Sequence, residues 1–215
     1  LKKGVLKEPE MDILWFLINN SYALEPWQQD VLEIIRQESY YFYPQHMTKI
    51  ANEGYASFWH AEIMLKLDCI TEAEYLDFVK LHEKVVQPGS NKLNINPYFL
   101  GFSILTEIRE IWDEKFENGE SDINGYQKIH EVVSNEDDIS FVRNWLSEDL
   151  AKKLKLFSYK NIRSSAGDEA IEITGTELDG IKEALTKDLY NYRAPLIKIV
   201  GVEDGILQLE HASID

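Results

Sequence analysis

The stretch from Asn52 to His60 places a carboxylate and an imidazole at a spacing that could do chemistry. Glu53 and His60 are seven residues apart, so on a helix they share one face, with Ser57 between them. The small residue Gly54 lets another backbone or a ligand come close. This combination fits a metal site or a general acid–base pair. It fits a structural polar network between helices equally well.

A second carboxylate, Glu38, falls in the apolar stripe of the preceding helix. This stripe occupies a narrow arc of the helical wheel and comprises Trp27, Val31, Ile34, Ile35 and Phe42. We expect the stripe to be buried, and a buried carboxylate needs a cation, a hydrogen-bond donor or a metal ion. Arg109, on a later apolar helix, could pair with such a carboxylate. Two misplaced acids, Glu38 and Glu53, favour a functional site.

Helix-start and helix-stop signals divide most of the chain into helices. Pro26 and Pro97 stand at first-turn positions, where their missing N–H groups cost nothing, and Thr71 opens a capping box with Glu74. The predicted helices span about residues 12–20, 25–43, 48 or 52–67, 71–87, 96–116, 126–134 and 139–156. The first 160 residues are therefore predicted to form a multi-helix domain.

After Leu156 the helical pattern gives way to a polar segment and strand-like runs. Residues 161–169 are polar and contain Gly and Ser, which is typical of a linker. The predicted elements beyond it are a strand over 170–174, a helix over 177–190 and a hairpin of strands over 196–202 and 206–211. The overall prediction is a mainly α protein, with a helical domain over 1–160 followed by a small α+β (β-α-β-β) appendage over 161–215.

Composition and net charge exclude some classes of molecule as binding partners. The net charge of −16 over 215 residues repels phosphate groups, so nucleic acids and anionic membranes are poor candidates. No apolar run reaches the ~18 residues of a spanning helix, so membrane insertion is not expected. The single cysteine, Cys69, fits a reducing compartment and is expected to be buried and inert. Because the first residue is Leu1 and not Met, we expect an excerpt of a longer protein or a processed product.

Several blocks of the sequence form a distinctive set. They are Leu24-Glu25-Pro26-Trp27-Gln28, Tyr41-Phe42-Tyr43-Pro44-Gln45, the Asn52–His60 stretch, Ile95-Asn96-Pro97-Tyr98 and Ser140-Phe141-Val142-Arg143-Asn144. Taken together, these blocks resemble the stage V sporulation protein R family (SpoVR-like proteins), and their order and spacing match the family across roughly residues 12–157. The resemblance implies a cytoplasmic bacterial protein that is associated with formation of the spore cortex, with protein partners in the sporulation programme.

A narrower resemblance bears on mechanism. Asn52-Glu53-Gly54-Tyr55-Ala56-Ser57 is similar to a helix of gluzincin aminopeptidases, whose Glu is the third zinc ligand after two histidines of an upstream His-Glu-x-x-His helix. SpoVR-like proteins carry an upstream segment with two histidines four apart. This resemblance implies a zincin-like hydrolase in which Glu53 is a metal ligand. In it, Glu38 or His60 either orients a metal ligand through a hydrogen bond or serves as the catalytic base.

The chain departs from both patterns because it contains no His-x-x-x-His pair. A zinc ion is therefore expected only where the upstream histidine segment is present. The two hypotheses are a metal-dependent hydrolase acting on a peptide or peptidoglycan precursor, and a non-catalytic regulatory or scaffold protein of the sporulation programme. In the second hypothesis Glu38, Glu53 and His60 form a buried structural network.

Overall fold

The protein is mainly helical, as predicted, with short strands near its C-terminus. The computed structural model describes residues 12–89, 95–163, 169–187, 189 and 197–211. The helices are α1 Ile13–Asn20, α2 Pro26–Met47, α3 Lys49–Lys66, α4 Glu72–Val85, α5 Pro97–Glu117, α6 Gly125–Asn135, α7 Asp138–Trp145, α8 Glu148–Lys153 and α9 Leu178–Lys187. The strands are β1 Ser158–Arg163, β2 Glu169–Gly175, β3 Ile197–Glu203 and β4 Ile206–His211. Among the described helices, none is both long and apolar enough to cross a membrane.

The chain divides into two compact units, the first comprising Leu1–His46 with Tyr190–Asp215 and the second Met47–Leu189. The first unit contains α1, α2 and the antiparallel β3–β4 hairpin. Asp204 and Gly205 form the two-residue turn of this hairpin, and both have positive φ, 50° and 80°. Such turns match the twist of the flanking strands, so the predicted hairpin is confirmed.

Within the first unit, α2 turns its polar side toward α1. The Asp12 carboxylate, which caps α1 by accepting from the Trp15 amide, also accepts from Arg36 Nε at 2.9 Å and from the Tyr40 hydroxyl at 3.0 Å. No residue of α2 is buried. The prediction that its apolar stripe is buried is therefore wrong, because the polar partners of Asp12 lie on the opposite side of the helix.

The second unit is built around the crossing of α3 and α5. Gly54 and Gly101 meet at this crossing: a Cβ on Gly54 would lie 2.4 Å from the carbonyl carbon of Gly101, and a Cβ on Gly101 would lie 2.2 Å from the Ile50 carbonyl oxygen. Only glycine allows backbones to approach so closely. The core continues along both helices and onto α6, α7 and α8 through Ala51, Phe58, Leu100, Ile104, Leu105, Ile108, Ile129, Val132, Phe141, Val142 and Leu150.

The buried face of α3 is centred on Gly54 and Phe58 and includes Ala61 and Glu62. The buried face predicted from the sequence is centred on Glu53, Ser57 and His60. The observed face is turned from the predicted one by roughly 100°, the rotation of a single helical residue. Ser57 is buried as predicted, whereas His60 is exposed.

The N-terminus of α3 is held by a carboxylate from another helix. Asp138, the first residue of α7, is 1% exposed and accepts from the amides of Ile50 at 2.9 Å and Ala51 at 3.0 Å. These amides lack intrahelical partners in the first turn of α3, so Asp138 satisfies them across the core. Burial raises the pKa of Asp138 to about 6, although the amide donors act in the opposite direction.

The C-terminal part of the second unit contains a strand that overlaps the first residues of the linker predicted over 161–169. Ser158–Arg163 forms β1, which pairs antiparallel with β2 and sets Tyr159 opposite Ile173. The order of elements is therefore β-β-α-β-β and not β-α-β-β. Helix α9 packs with α7, buries Ile181 in the common core, and donates from Lys182 Nζ to the Arg143 carbonyl at 2.7 Å. The domain boundary after residue 160 stays a prediction.

Adding a methyl group at the α3–α5 crossing should destabilise the protein. We expect Gly54→Ala to lower the free energy of unfolding by about 2 kcal/mol or more, because the new Cβ meets backbone that cannot move alone. Gly180→Ala is the matched control, since its Cβ has only the Ser158 hydroxyl at 3.4 Å and alanine favours the helix. Urea unfolding measures both. Equal stability of the two variants would contradict the close crossing.

The buried Asp138 should make stability depend on pH in an identifiable direction. Its folded pKa lies above the ordinary 3.8, so its contribution to stability is complete below pH 3.8 and is lost as the pH rises through about 6. Between pH 5 and pH 7.5 the parent should lose about 1 kcal/mol relative to Asp138→Asn, which does not titrate. Urea unfolding of both proteins at each pH measures this difference. A gain by the parent over this range would mean that the amide donors outweigh burial.

Candidate functional site

Glu53 lies on α3 at the edge of the core, near a tyrosine of α5. It is partly exposed, and its carboxylate lies near the Tyr98 hydroxyl in the first turn of α5. The nearby carboxylate, followed by burial, raises the pKa of Tyr98. Pro97 starts α5, and the Asn96 side chain caps it by accepting from the Tyr98 amide at 3.0 Å. Two of the family-like blocks therefore lie side by side, at Glu53 and Tyr98.

His60 lies two turns further along α3, beside two rings of α4. Its exposed ring packs edge-on against the Phe78 ring, and the two centroids are 5.2 Å apart. The centroid of the His82 ring lies 6.1 Å from that of His60. His82 also contacts Phe102 of α5 at 5.2 Å. Burial, followed by the nearby charge of His60, lowers the pKa of His82. The His82 ring thus contacts rings of α3, α4 and α5.

Glu38 belongs to the first unit, whereas Glu53 and His60 belong to the second. Glu38 is exposed. Among the described residues, no three His, Cys, Asp or Glu side chains gather closely enough to hold a metal ion. The catalytic roles suggested for Glu38 and His60 and the metal-ligand role suggested for Glu53 therefore stay predictions.

Cys69 is exposed, so the prediction of a buried thiol is wrong. The residue lies in the turn between α3 and α4 and not on a helix face. The apolar residues around it in sequence suggested burial, but α3 ends at Lys66, before the thiol could be carried into the core.

A buried carboxylate that is not among the predicted site residues, Glu62, accepts bonds from three side chains. Glu62 of α3 is 9% exposed and accepts from Arg109 Nη1 of α5 at 2.7 Å. Its other oxygen accepts from Lys66 Nζ at 2.9 Å and from the Tyr126 hydroxyl of α6. Tyr126 accepts in turn from Lys66 at 2.8 Å. The expectation that Arg109 pairs with a buried carboxylate is confirmed, with Glu62 as the partner.

Backbone packing brings Tyr126 to this cluster. A Cβ on the neighbouring Gly125 would lie 2.4 Å from the Arg109 carbonyl oxygen, so α6 begins directly against α5. The Gly125 amide donates to the Asp113 carboxylate at 2.8 Å. Trp59 stacks on the Tyr126 ring, with centroids 5.4 Å apart. The cluster therefore joins three helices through one carboxylate.

The electrostatics of the cluster are those of a structural ion pair. Burial alone would raise the pKa of Glu62, but the hydrogen bonds from Tyr126 and Lys66 and the charge of Arg109 outweigh it, so the pKa is lowered. A carboxylate held ionised by three donors is a poor general base, because protonation would cost those bonds. The signal that could have found Glu62 is its spacing of eight residues from Gly54 and four from Phe58, along the buried face.

Removing the charge of Glu62 should cost stability at neutral pH. We expect Glu62→Gln to lower the free energy of unfolding by about 2 kcal/mol at pH 7.5, because Arg109 and Lys66 lose an ionised acceptor. Because the folded pKa of Glu62 is lowered, this stabilisation is present above pH 4.5 and disappears as the pH falls through that lowered value. Glu110→Gln, an exposed acid of α5, is the control in urea unfolding. An equal effect of the two substitutions would contradict this assignment.

Comparisons with known proteins match most of the chain. The profile of the family described as "SpoVR like protein" matches residues 2–194. The uncharacterized protein YcgB of Escherichia coli strain K12 is 35% identical over 164 residues, which are 70% of this chain and 32% of the relative. The chain thus spans about a third of that curated relative's length. No solved structure matches it. The match over residues 2–194 shows that the chain belongs to the SpoVR-like protein family.

Proposed function

We propose that this chain is a non-catalytic, helical part of a cytoplasmic SpoVR-like protein, and that it serves spore cortex formation through contacts with other proteins. One observation carries the non-catalytic role: the groups of the Asn52–His60 stretch are engaged in holding helices together. Gly54 lets α5 approach closely, Ser57 is buried, Glu53 lies beside Tyr98 of α5, and His60 packs on Phe78. The association with sporulation rests on the family resemblance.

The structural role differs in one respect from the buried network that the sequence suggested. Glu53 of α3 and Tyr98 of α5 lie close together at the edge of the core, where both side chains are partly open to water. Glu38 belongs to the first unit. The fully bonded carboxylate of this unit is Glu62 and not Glu53. The non-catalytic hypothesis therefore needs only Glu53 from the predicted trio as a hydrogen-bond acceptor.

A metal-dependent hydrolase is the second candidate, and the partial exposure of Glu53 favours it. A carboxylate has more acceptor positions than one tyrosine hydroxyl fills, so Glu53 could still ligate a cation. The described residues do not complete a site around it, and the chain contains no histidine pair at ligand spacing. A zincin-like arrangement would require ligands that these residues do not supply.

Substitution of Glu53 separates the two candidates. In a full-length SpoVR-like protein, Glu53→Gln keeps an acceptor for Tyr98 and should leave both stability and the yield of heat-resistant spores close to those of the parent. Glu53→Ala removes the acceptor and should lower the free energy of unfolding by about 1 kcal/mol. Tyr98→Phe is the matched control and should resemble Glu53→Ala. Spore counts in a complemented deletion strain and urea unfolding measure these effects.

Elemental analysis of the full-length protein, purified without chelators, completes the test. The proposal predicts that any metal content is unchanged by Glu53→Gln. Stoichiometric zinc in the parent, lost together with spore yield in a stably folded Glu53→Gln variant, would reject the non-catalytic role in favour of the hydrolase.

A further inference from the structure

Helix α2 presents its apolar side to solvent and its polar side to α1. Arg36 and Tyr40, which bond to Asp12, lie on one side of the helix. On the other side Trp27 is 64% exposed and Ile34 is 63% exposed. This arrangement is the reverse of an ordinary surface helix, which buries its apolar side. An exposed apolar surface of this kind marks an interaction site.

The exposed residues follow the spacing of a helix–helix seam. Trp27, Val31, Ile34, Glu38 and Tyr41, here called the α2 stripe, are separated by four, three, four and three residues. Such alternation is the a/d pattern of helices that pack side by side. The stripe covers fifteen residues, or about 21 Å of helix at 1.5 Å per residue. A second helix lying along α2 would cover it completely.

Glu38 determines the chemistry of that second helix. It is exposed in the middle of the stripe, and no ion pair or hydrogen bond to it is found among the described residues. A helix that covers the stripe removes water from this carboxylate, so the partner must supply a cation or leave a buried charge unpaired. Arg36 cannot do so, because it lies on the opposite side of α2 and bonds to Asp12.

A second copy of the chain does not meet this requirement. The α2 stripe contains no lysine or arginine, so a copy would offer Glu38 either its own Glu38 or an apolar residue. Each copy also carries a net charge of −16, which opposes association of two chains. The same charge attracts a basic partner.

We propose that the α2 stripe binds an amphipathic, basic helix of another protein, which places a lysine or arginine opposite Glu38. The apolar residues of the stripe provide most of the contact, and Glu38 selects among apolar helices. This inference rests on the proposed function, in which the chain acts through contacts with other proteins, and it names the surface and the class of partner.

Two synthetic peptides of identical composition test the proposal. Both have about four heptads with leucine at the seam positions. One carries a lysine at the central seam position and a glutamine on the outer face, and the other exchanges these two residues. Because their net charges are equal, general attraction to an acidic protein is the same for both. Fluorescence anisotropy of labelled peptide gives the Kd for the 215-residue chain.

The seam-lysine peptide should bind about tenfold more tightly than its isomer, and Glu38→Gln should abolish that preference. Ile34→Ser should weaken both peptides at least tenfold. Ile206→Ser on β4 is the matched control, because Ile206 is equally exposed, at 69%, and lies outside the stripe. Unchanged binding in this control locates the site on α2.

Several results would overturn the proposal. These are equal binding of the two peptides, equal weakening by Ile34→Ser and Ile206→Ser, and self-association of the chain that Ile34→Ser abolishes in sedimentation. Binding to this chain but not to a full-length SpoVR-like protein would show that the helix comes from the same protein and not from another. None of these outcomes bears on Glu53, so a failure here is distinguishable from a failure of the non-catalytic role.

Discussion

The contact between Gly54 and Gly101 sets the register of the second unit. Once these two residues oppose each other, residues eight positions further along each helix also meet, and these are Glu62 and Arg109. The two helices therefore pass each other in the same direction. Because the glycines fix which side of α3 faces α5, they also fix that Glu53 and His60 lie beside the contact and not within it.

Two carboxylates stabilise the two ends of α3 by different means. Asp138 meets the N-terminal amides, where the partial positive charge of a helix end favours an anion, but burial still raises its pKa. Glu62, near the other end, meets Arg109 and Lys66, and its pKa is lowered. Amide dipoles offset only part of the cost of removing a charge from water, whereas full cations with a hydroxyl donor offset all of it.

Local signals in the sequence predicted much of the fold and little of the site. The capping box at Thr71, the Asn96-Pro97 start of α5 and the Asp204-Gly205 turn are short-range patterns, and all three are confirmed. The buried face of α3 was misplaced because Glu53, Ser57 and His60 form a pattern as regular as that of Gly54, Phe58 and Glu62. Only the long-range contact with Gly101, 47 residues away, decides between the two faces.

The same limit explains the misjudged stripe and the missed strand. Periodicity shows that α2 has an apolar side, but the partner of its polar side, Asp12, is 24 residues away in sequence. The second half of strand β1 falls in the predicted linker because its polar residues give no strand pattern, and pairing with β2 provides the ladder that makes it a strand. Each misjudged element is one whose state depends on a distant contact.

Polar contacts hold α2 in place while its stripe stays exposed. Asp12 accepts three hydrogen bonds, from Trp15, Arg36 and Tyr40, and thereby ties α2 to the cap of α1. Burying each large apolar side chain of the stripe would contribute about 1.5 to 3 kcal/mol. A carboxylate in the middle of such a surface weakens binding to any apolar helix that lacks a cation, since breaking a buried charge pair is costly. In the proposed complex, Glu38 would therefore lower affinity for apolar helices in general and raise specificity for a basic one.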